Sequence, residues 1–201
     1  MKRSIIISVL IFLTSSSYCQ IVFNRIIPDT VSHINNSIIE SDNGYIMLTG
    51  TSNEFNVRCF SIRIIDIYGN EQIKKLYGVP INEFWEGHNN CLKKTNNQYY
   101  SVGTYKHLSQ NTRGVFLNFY NSNLDTTSQS IICDNNVSKA AFNVLRHSSG
   151  NYFITGWLYD SSMDDVYMLF IKTDPNGNFI WQKTYGNRNE YGEQIIETSD
   201  K

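Results

Sequence analysis

Alanine is almost missing from this chain of 201 residues: Ala140 and Ala141 are the only two. A chain that avoids the best helix former, and is rich in Ile, Tyr, Phe and Val, favours strands. β-Branched and aromatic side chains fit a pleated, half-buried surface. An excess of either charge is missing as well. Seventeen basic residues face eighteen acidic ones, with no basic stripe for nucleic acid and no acidic tail. The spacings of common chemical motifs are also absent. No Cys-x-x-Cys or His-x-x-x-His pair suits zinc, no Ser or Cys sits in a nucleophile elbow, and no glycine-rich phosphate loop follows a strand. The four histidines, His33, His88, His107 and His147, share no ligand spacing. These absences leave no catalytic constellation, and a non-enzymatic chain is expected.

The one strongly apolar run lies at the start, MKRSIIISVLIFLTSSSYCQ. Lys2 and Arg3 make a positive head, and Ile5 to Leu13 an apolar stretch too short to span a bilayer. Ser17 and Cys19 are small residues suited to the positions before a cut at Gln20. Residues 1–19 therefore read as a secretory signal peptide. The mature chain, 20–201, is expected to be secreted or at the cell surface, with no membrane span. Removal of the signal leaves Cys59, Cys91 and Cys133, an odd number. Either one disulfide forms among them, or all three are small buried apolar residues.

A repeat dominates what remains. "GYIMLTG" ends at Gly50, "QYYSVG" at Gly103 and "NYFITG" at Gly156, each 53 residues after the last. Ile39, Leu92 and Leu145 keep the same step. "IIDIYGN", 64–70, and "KTDPNGN", 172–178, share Asp-x-x-Gly-Asn; the middle copy is degenerate there, with Asn121 for the Asp and Leu124 for the Gly. In such a turn the Asp side chain caps the backbone and the Gly supplies a positive φ. Each unit reads as four short strands. The expected fold is all-β, a partial β-propeller of four-stranded antiparallel blades; a solenoid or a two-sheet sandwich is the alternative. The blades fall at about 30–78, 79–134 and 135–186, after an orphan strand at 20–29 and before the start of a fourth unit at 187–201. Three blades and a fragment fall short of the usual four to eight. The chain is thus expected to be part of a longer protein or to close by association.

The stretch "DDVYMLFIKTDPNGNFIWQKTYGN", 164–187, together with "DNGYIMLTG", resembles the secreted β-propeller-type repeats of Bacteroidetes proteins. Asp165, Ile171, Lys172, Thr173, Asp174, Gly177, Trp181, Lys183, Thr184, Tyr185 and Gly186 sit on that pattern. The resemblance is close over 150–201 and loose over 80–148. It implies a propeller, and export of the kind used in type IX secretion.

Candidate sites follow from where the copies differ. Trp157 comes after Gly156 where the other copies have Thr51 and Thr104, and Trp85 is peculiar to its loop. Either Trp stacks on a sugar or docks a protein, or it packs between blades. Trp181 belongs to the repeat and is expected in the core. Asp160, Asp164 and Asp165 offer oxygen ligands to calcium, or simply cap turns. No other cofactor is expected. Glu83 and Glu86 with Glu190 and Glu193 are the nearest approach to a glycosidase pair, but similar loops recur, which favours structure. The expected role is a binding, adhesion or scaffold module with a protein or glycan ligand; a secreted carbohydrate-active enzyme is the runner-up.

Overall fold

The computed structural model describes residues 34–52, 57–78, 82–86, 91–95, 98–107, 112–134, 137–186 and 189–199. The expected signal peptide, 1–19, and the expected orphan strand, 20–29, lie outside these. All thirteen elements are β-strands, and no helix occurs among the described residues.

They form three antiparallel meanders. Sheet A runs β1 (Ile34–Ser41), β2 (Gly44–Ser52), β3 (Arg58–Asp66), β4 (Glu71–Tyr77). Sheet B holds β5 (Asn82–Glu86) and β6 (Leu92–Lys94), both paired with β7 (Tyr99–His107), then β8 (Thr112–Tyr120) and β9 (Thr126–Ile132). Sheet C runs β10 (Val137–Arg146), β11 (Tyr152–Asp160), β12 (Asp165–Thr173), β13 (Phe179–Tyr185). The first strand of A breaks register between Asn35 and Ser37, and that of C between Ala141 and Asn143. These bulges lie 142 − 36 = 106 residues apart, two repeats. In B the first strand is instead divided into β5 and β6.

One turn chemistry closes the last hairpin of every sheet. In A, Gly69 N–H donates to Asp66 O at 3.0 Å, and Asp66 Oδ1 accepts from the N–H groups of Tyr68 and Asn70 at 2.9 and 2.8 Å. In C, Asp174 does the same with Gly177, Asn176 and Asn178 at 3.0, 2.8 and 2.8 Å. The copy in B, degenerate in sequence, is intact in structure. Asn121 Oδ1 accepts from Asn123 and Asp125 at 2.9 and 2.8 Å, and Leu124 holds φ +63° where Gly69 and Gly177 hold +82° and +86°. An amide oxygen caps as well as a carboxylate, because the cap needs only an acceptor.

Counting back from these turns corrects the repeat. Gly103 pairs with Phe116, and Gly156 with Leu169, each five residues before the turn residue. The matching pair in A is Thr49 with Ser61, not Gly50 with Phe60. Gly50 is therefore one position out, equivalent to Thr104 and Trp157. The first step is 54 residues and the second 53. A one-residue slip exchanges the two faces of a strand, so only the corrected register places the core.

With that register the packing repeats. Ile46, Leu48, Phe60 and Ile62 of A meet Phe116 and Tyr120 of B; Phe60 stacks on Phe116 at 5.3 Å, and Tyr77 meets Tyr120 edge-on at 5.2 Å. The other face of B presents Tyr100, Val102, Leu117 and Phe119 to Tyr152, Ile154 and Ile171 of C; Tyr152 lies 5.0 Å from Tyr100 and 5.2 Å from Phe119. One continuous core joins all three sheets. Face-to-face apolar sheets of this kind derive most of their stability from area removed from water.

The outward face of C carries Phe153, Phe170 and Trp181 in mutual contact at 5.4 to 6.1 Å. Trp181, expected in the core, is half-buried here instead, because it faces away from sheet B. Residues 189–199 form no strand but run over this face: Glu190 N–H donates to Val166 O at 3.2 Å, and Gly192 N–H to Gly156 O at 2.9 Å.

Candidate functional site

Two cavities flank sheet C. The first, about 450 Å³, is lined by Arg113, Ser138, Trp157, Tyr159, Val166 and Tyr191. Strand alternation places it. Trp157 and Tyr159 are two apart on β11 and so share the outward face; Ser138 and Val166 are the cross-strand neighbours of Tyr159. Two walls come from elsewhere in the chain: Arg113 from β8 of sheet B, and Tyr191 from the terminal segment. Tyr191 is anchored by stacking on Phe142, 6.4 Å between ring centres. Tyr159 O–H donates to Asp164 Oδ1 at 2.8 Å, and this bond, first of the causes, raises the phenol above its ordinary range.

Three aromatic rings, a guanidinium and a hydroxyl around a small cleft suit a ligand with a flat apolar face and polar edges. A sugar ring stacks on such surfaces and hydrogen-bonds at its rim. The residue that makes the cleft distinctive is Trp157, at the position occupied by Gly50 in A and Thr104 in B. Sequence comparison singled out Trp157 but missed Arg113 and Tyr191, which no local pattern brings beside it. Trp85 lies on strand β5, opposite Thr104, rather than in a loop; its side chain lies outside the described residues.

The second cavity, about 550 Å³, is lined by Asp134, Val137, Leu158, Asp160, Met163, Tyr167, Gln182 and Thr184. Beside it lies a buried cation. Lys139, 1% exposed, forms an ion pair with Asp134 and reaches across the sheet to donate to Gln182 Oε1 at 2.6 Å. A buried ammonium needs such partners, since desolvation otherwise outweighs any local gain.

The other candidates are engaged locally. Asp160 accepts from Ser162 N–H and O–H at 2.9 and 2.6 Å, which, hydroxyl first, hold its carboxyl below the ordinary range. Asp164 serves Tyr159. Among the described residues no three His, Cys, Asp or Glu side chains converge as metal ligands. Glu83 pairs with Lys106 at 3.8 Å, and Glu190 and Glu193 are exposed on the terminal segment. None of the three lines either cavity. No disulfide joins Cys59, Cys91 and Cys133; the first two are buried and the third is exposed. No described helix is long and apolar enough to cross a membrane.

No family model matches this sequence, and no curated protein is significantly similar to it.

Proposed function

We propose that this chain is an exported, non-catalytic binding module whose sheets are blades of a β-propeller, and that it holds a glycan at the Trp157 cleft. The observation that carries this reading is the cleft itself, with Trp157, Tyr159 and Tyr191 as stacking walls and Arg113 and Ser138 as polar rim. Export is supported by the leader-like first nineteen residues. The propeller is supported by three antiparallel meanders, two of four strands and one whose first strand is divided in two, packed face to face in one sense.

A glycosidase would need two carboxylates facing one space. Asp134 and Asp160 do line the second cavity, but Lys139 occupies the first and Ser162 the second.

A glycan array probed with the full chain tests the reading. Retention of defined sugars, lost in Trp157→Ala with an unchanged thermal midpoint, is the expected result. Retention of none, or a Trp157→Ala variant altered only in stability, would sink it.

A further inference from the structure

The hairpin turns that close sheets B and C each rest on the sheet before them. On sheet A, Lys75 donates to the Asp125 carboxylate and the Tyr77 hydroxyl to the Leu124 carbonyl. On sheet B, the turn at Gly177 lies against Ser130, Phe119 and Leu117.

The registers identify the matching positions on sheet C. Lys75 lies opposite Ile62, Ser130 opposite Leu117, and Lys183 opposite Phe170. Tyr77 lies opposite Phe60, Ile132 opposite Val115, and Tyr185 opposite Met168. Sheet C thus repeats the Lys-x-Tyr grip of sheet A, but Lys183 is exposed and Tyr185 is 46% exposed. A second correspondence points the same way. Lys94, from the first position of sheet B, pairs with Asp42 in the first turn of A at 2.7 Å. Glu197, from the terminal segment, pairs with His147 in the first turn of C at 3.2 Å. The segment 189–199 lies on sheet C as the first strands of B and C lie on the sheets before them.

We infer that the outward face of sheet C is a receptor for a further four-stranded sheet of this repeat, whose closing turn carries an acidic fifth residue gripped by Lys183 and Tyr185. The charge follows the pairing already present. Where the receptor is Lys75 the fifth turn residue is Asp125; where it is Ser130 the residue is Asn178. Lys183 calls for Asp again. A second copy of this chain fits poorly. Its turn 66–70 ends in Asn70, its turn 121–125 is held by Lys75, and the face of sheet A that would dock has Thr49, Ser61 and Arg63 buried to within 3% exposure. The partner is a sheet with an Asn-x-x-x-Asp type turn. Trp157 shares this outward face, so the inference rests on the blade reading alone, and a docked sheet would cover the glycan cleft.

The test extends the full chain at its carboxyl end with a copy of residues 98–134, so that 189–199 serves as the missing first strand. Trp85→Phe and Trp157→Phe, in both copies where present, leave Trp181 as the sole indole. Acrylamide quenching of Trp181 should fall several-fold relative to a scrambled extension of the same composition. Asp125→Lys in the appended copy alone should abolish that protection, and Lys183→Asp in the receptor should restore it. Amide exchange at Ile46 and Leu169 reports that the original sheets persist. Equal quenching with native and scrambled extensions, or protection indifferent to the charge reversal, would overturn the inference. So would concentration-dependent dimerisation of the unextended chain that buries Trp181.

Discussion

Asn121 and Asp125 hold the middle turn with donor and acceptor exchanged relative to its neighbours. Asn121 Nδ2 donates to Asp125 Oδ2 at 3.2 Å, whereas Asn70 and Asn178 donate to Asp66 and Asp174 at 2.8 Å. The exchange moves the carboxylate to the fifth position, where Lys75 meets it. Asn121→Asp should lower the thermal midpoint by setting two carboxylates face to face. Adding Asp125→Asn should restore the turn but not the contact with Lys75, leaving the double variant between the single variant and the parent. Thermal unfolding of the three proteins checks the order.

Leu124 sits in the same turn at positive φ yet is fully buried. Leu124→Gly relieves about 1 kcal/mol of backbone strain but forfeits about 2–4 kcal/mol of buried side chain. Burial is the larger effect. Denaturant unfolding should show a net loss of about 1–3 kcal/mol; a gain would mean that backbone strain dominates.

Gly156 has no room for a side chain. A Cβ there would meet the Ala140 carbonyl oxygen at 1.9 Å, a backbone atom that cannot step aside. Gly156→Ala should cost more than about 2 kcal/mol. Gly192→Ala meets Thr155 and Met168 at 3.0 and 3.1 Å from outside the sheet. It should loosen the terminal segment, seen as faster exchange of the Gly192 amide, with little change in global stability.

Stability should fall at both extremes of pH. Side-chain and backbone donors from Asn70 and Asn178, with Lys75 and Asn121 at the middle turn, hold the carboxyls of Asp66, Asp174 and Asp125 below their usual 3.8. A depressed carboxyl stabilises above its unfolded pKa and loses that contribution as pH falls through the folded value, so the acid loss begins below about pH 4. Burial, with the charge of Tyr152 second, pushes Tyr100 up to about 12, and burial likewise raises Tyr120 and Tyr77. A raised phenol stabilises below its unfolded pKa and loses that contribution as pH climbs through the folded one, here from about 10 upward. Thermal midpoints across pH should show both edges; Asp66→Asn with Asp174→Asn should flatten the acid edge alone.

The core between sheets B and C turns on Tyr152, buried against Tyr100 and Phe119. Tyr152→Ala should cost about 3–5 kcal/mol, whereas Trp157→Ala, on a half-buried cleft wall, should cost far less while removing ligand. Equilibrium unfolding of the two variants separates the roles.

Strand order and turn positions were legible because β-branched runs broken by Asp-x-x-Gly-Asn leave little else to build. The register of sheet A was not. Its glycine marks a similar word one residue along, and identity of letters conceals a change of face. The turn at Asn121 looked degraded because its residue types changed, although the hydrogen bonds did not. For the cleft, Trp157 stood out as a departure from the repeat. Arg113 and Tyr191 were invisible because only packing of separate segments brings them near it.

Each sheet is one uninterrupted stretch of chain, and sheets B and C each pack on the one made just before. Such a molecule can be assembled in the order it is synthesised, every new hairpin closing on a finished template. It can also lengthen or shorten across generations by whole duplicated units, without rethreading what already exists.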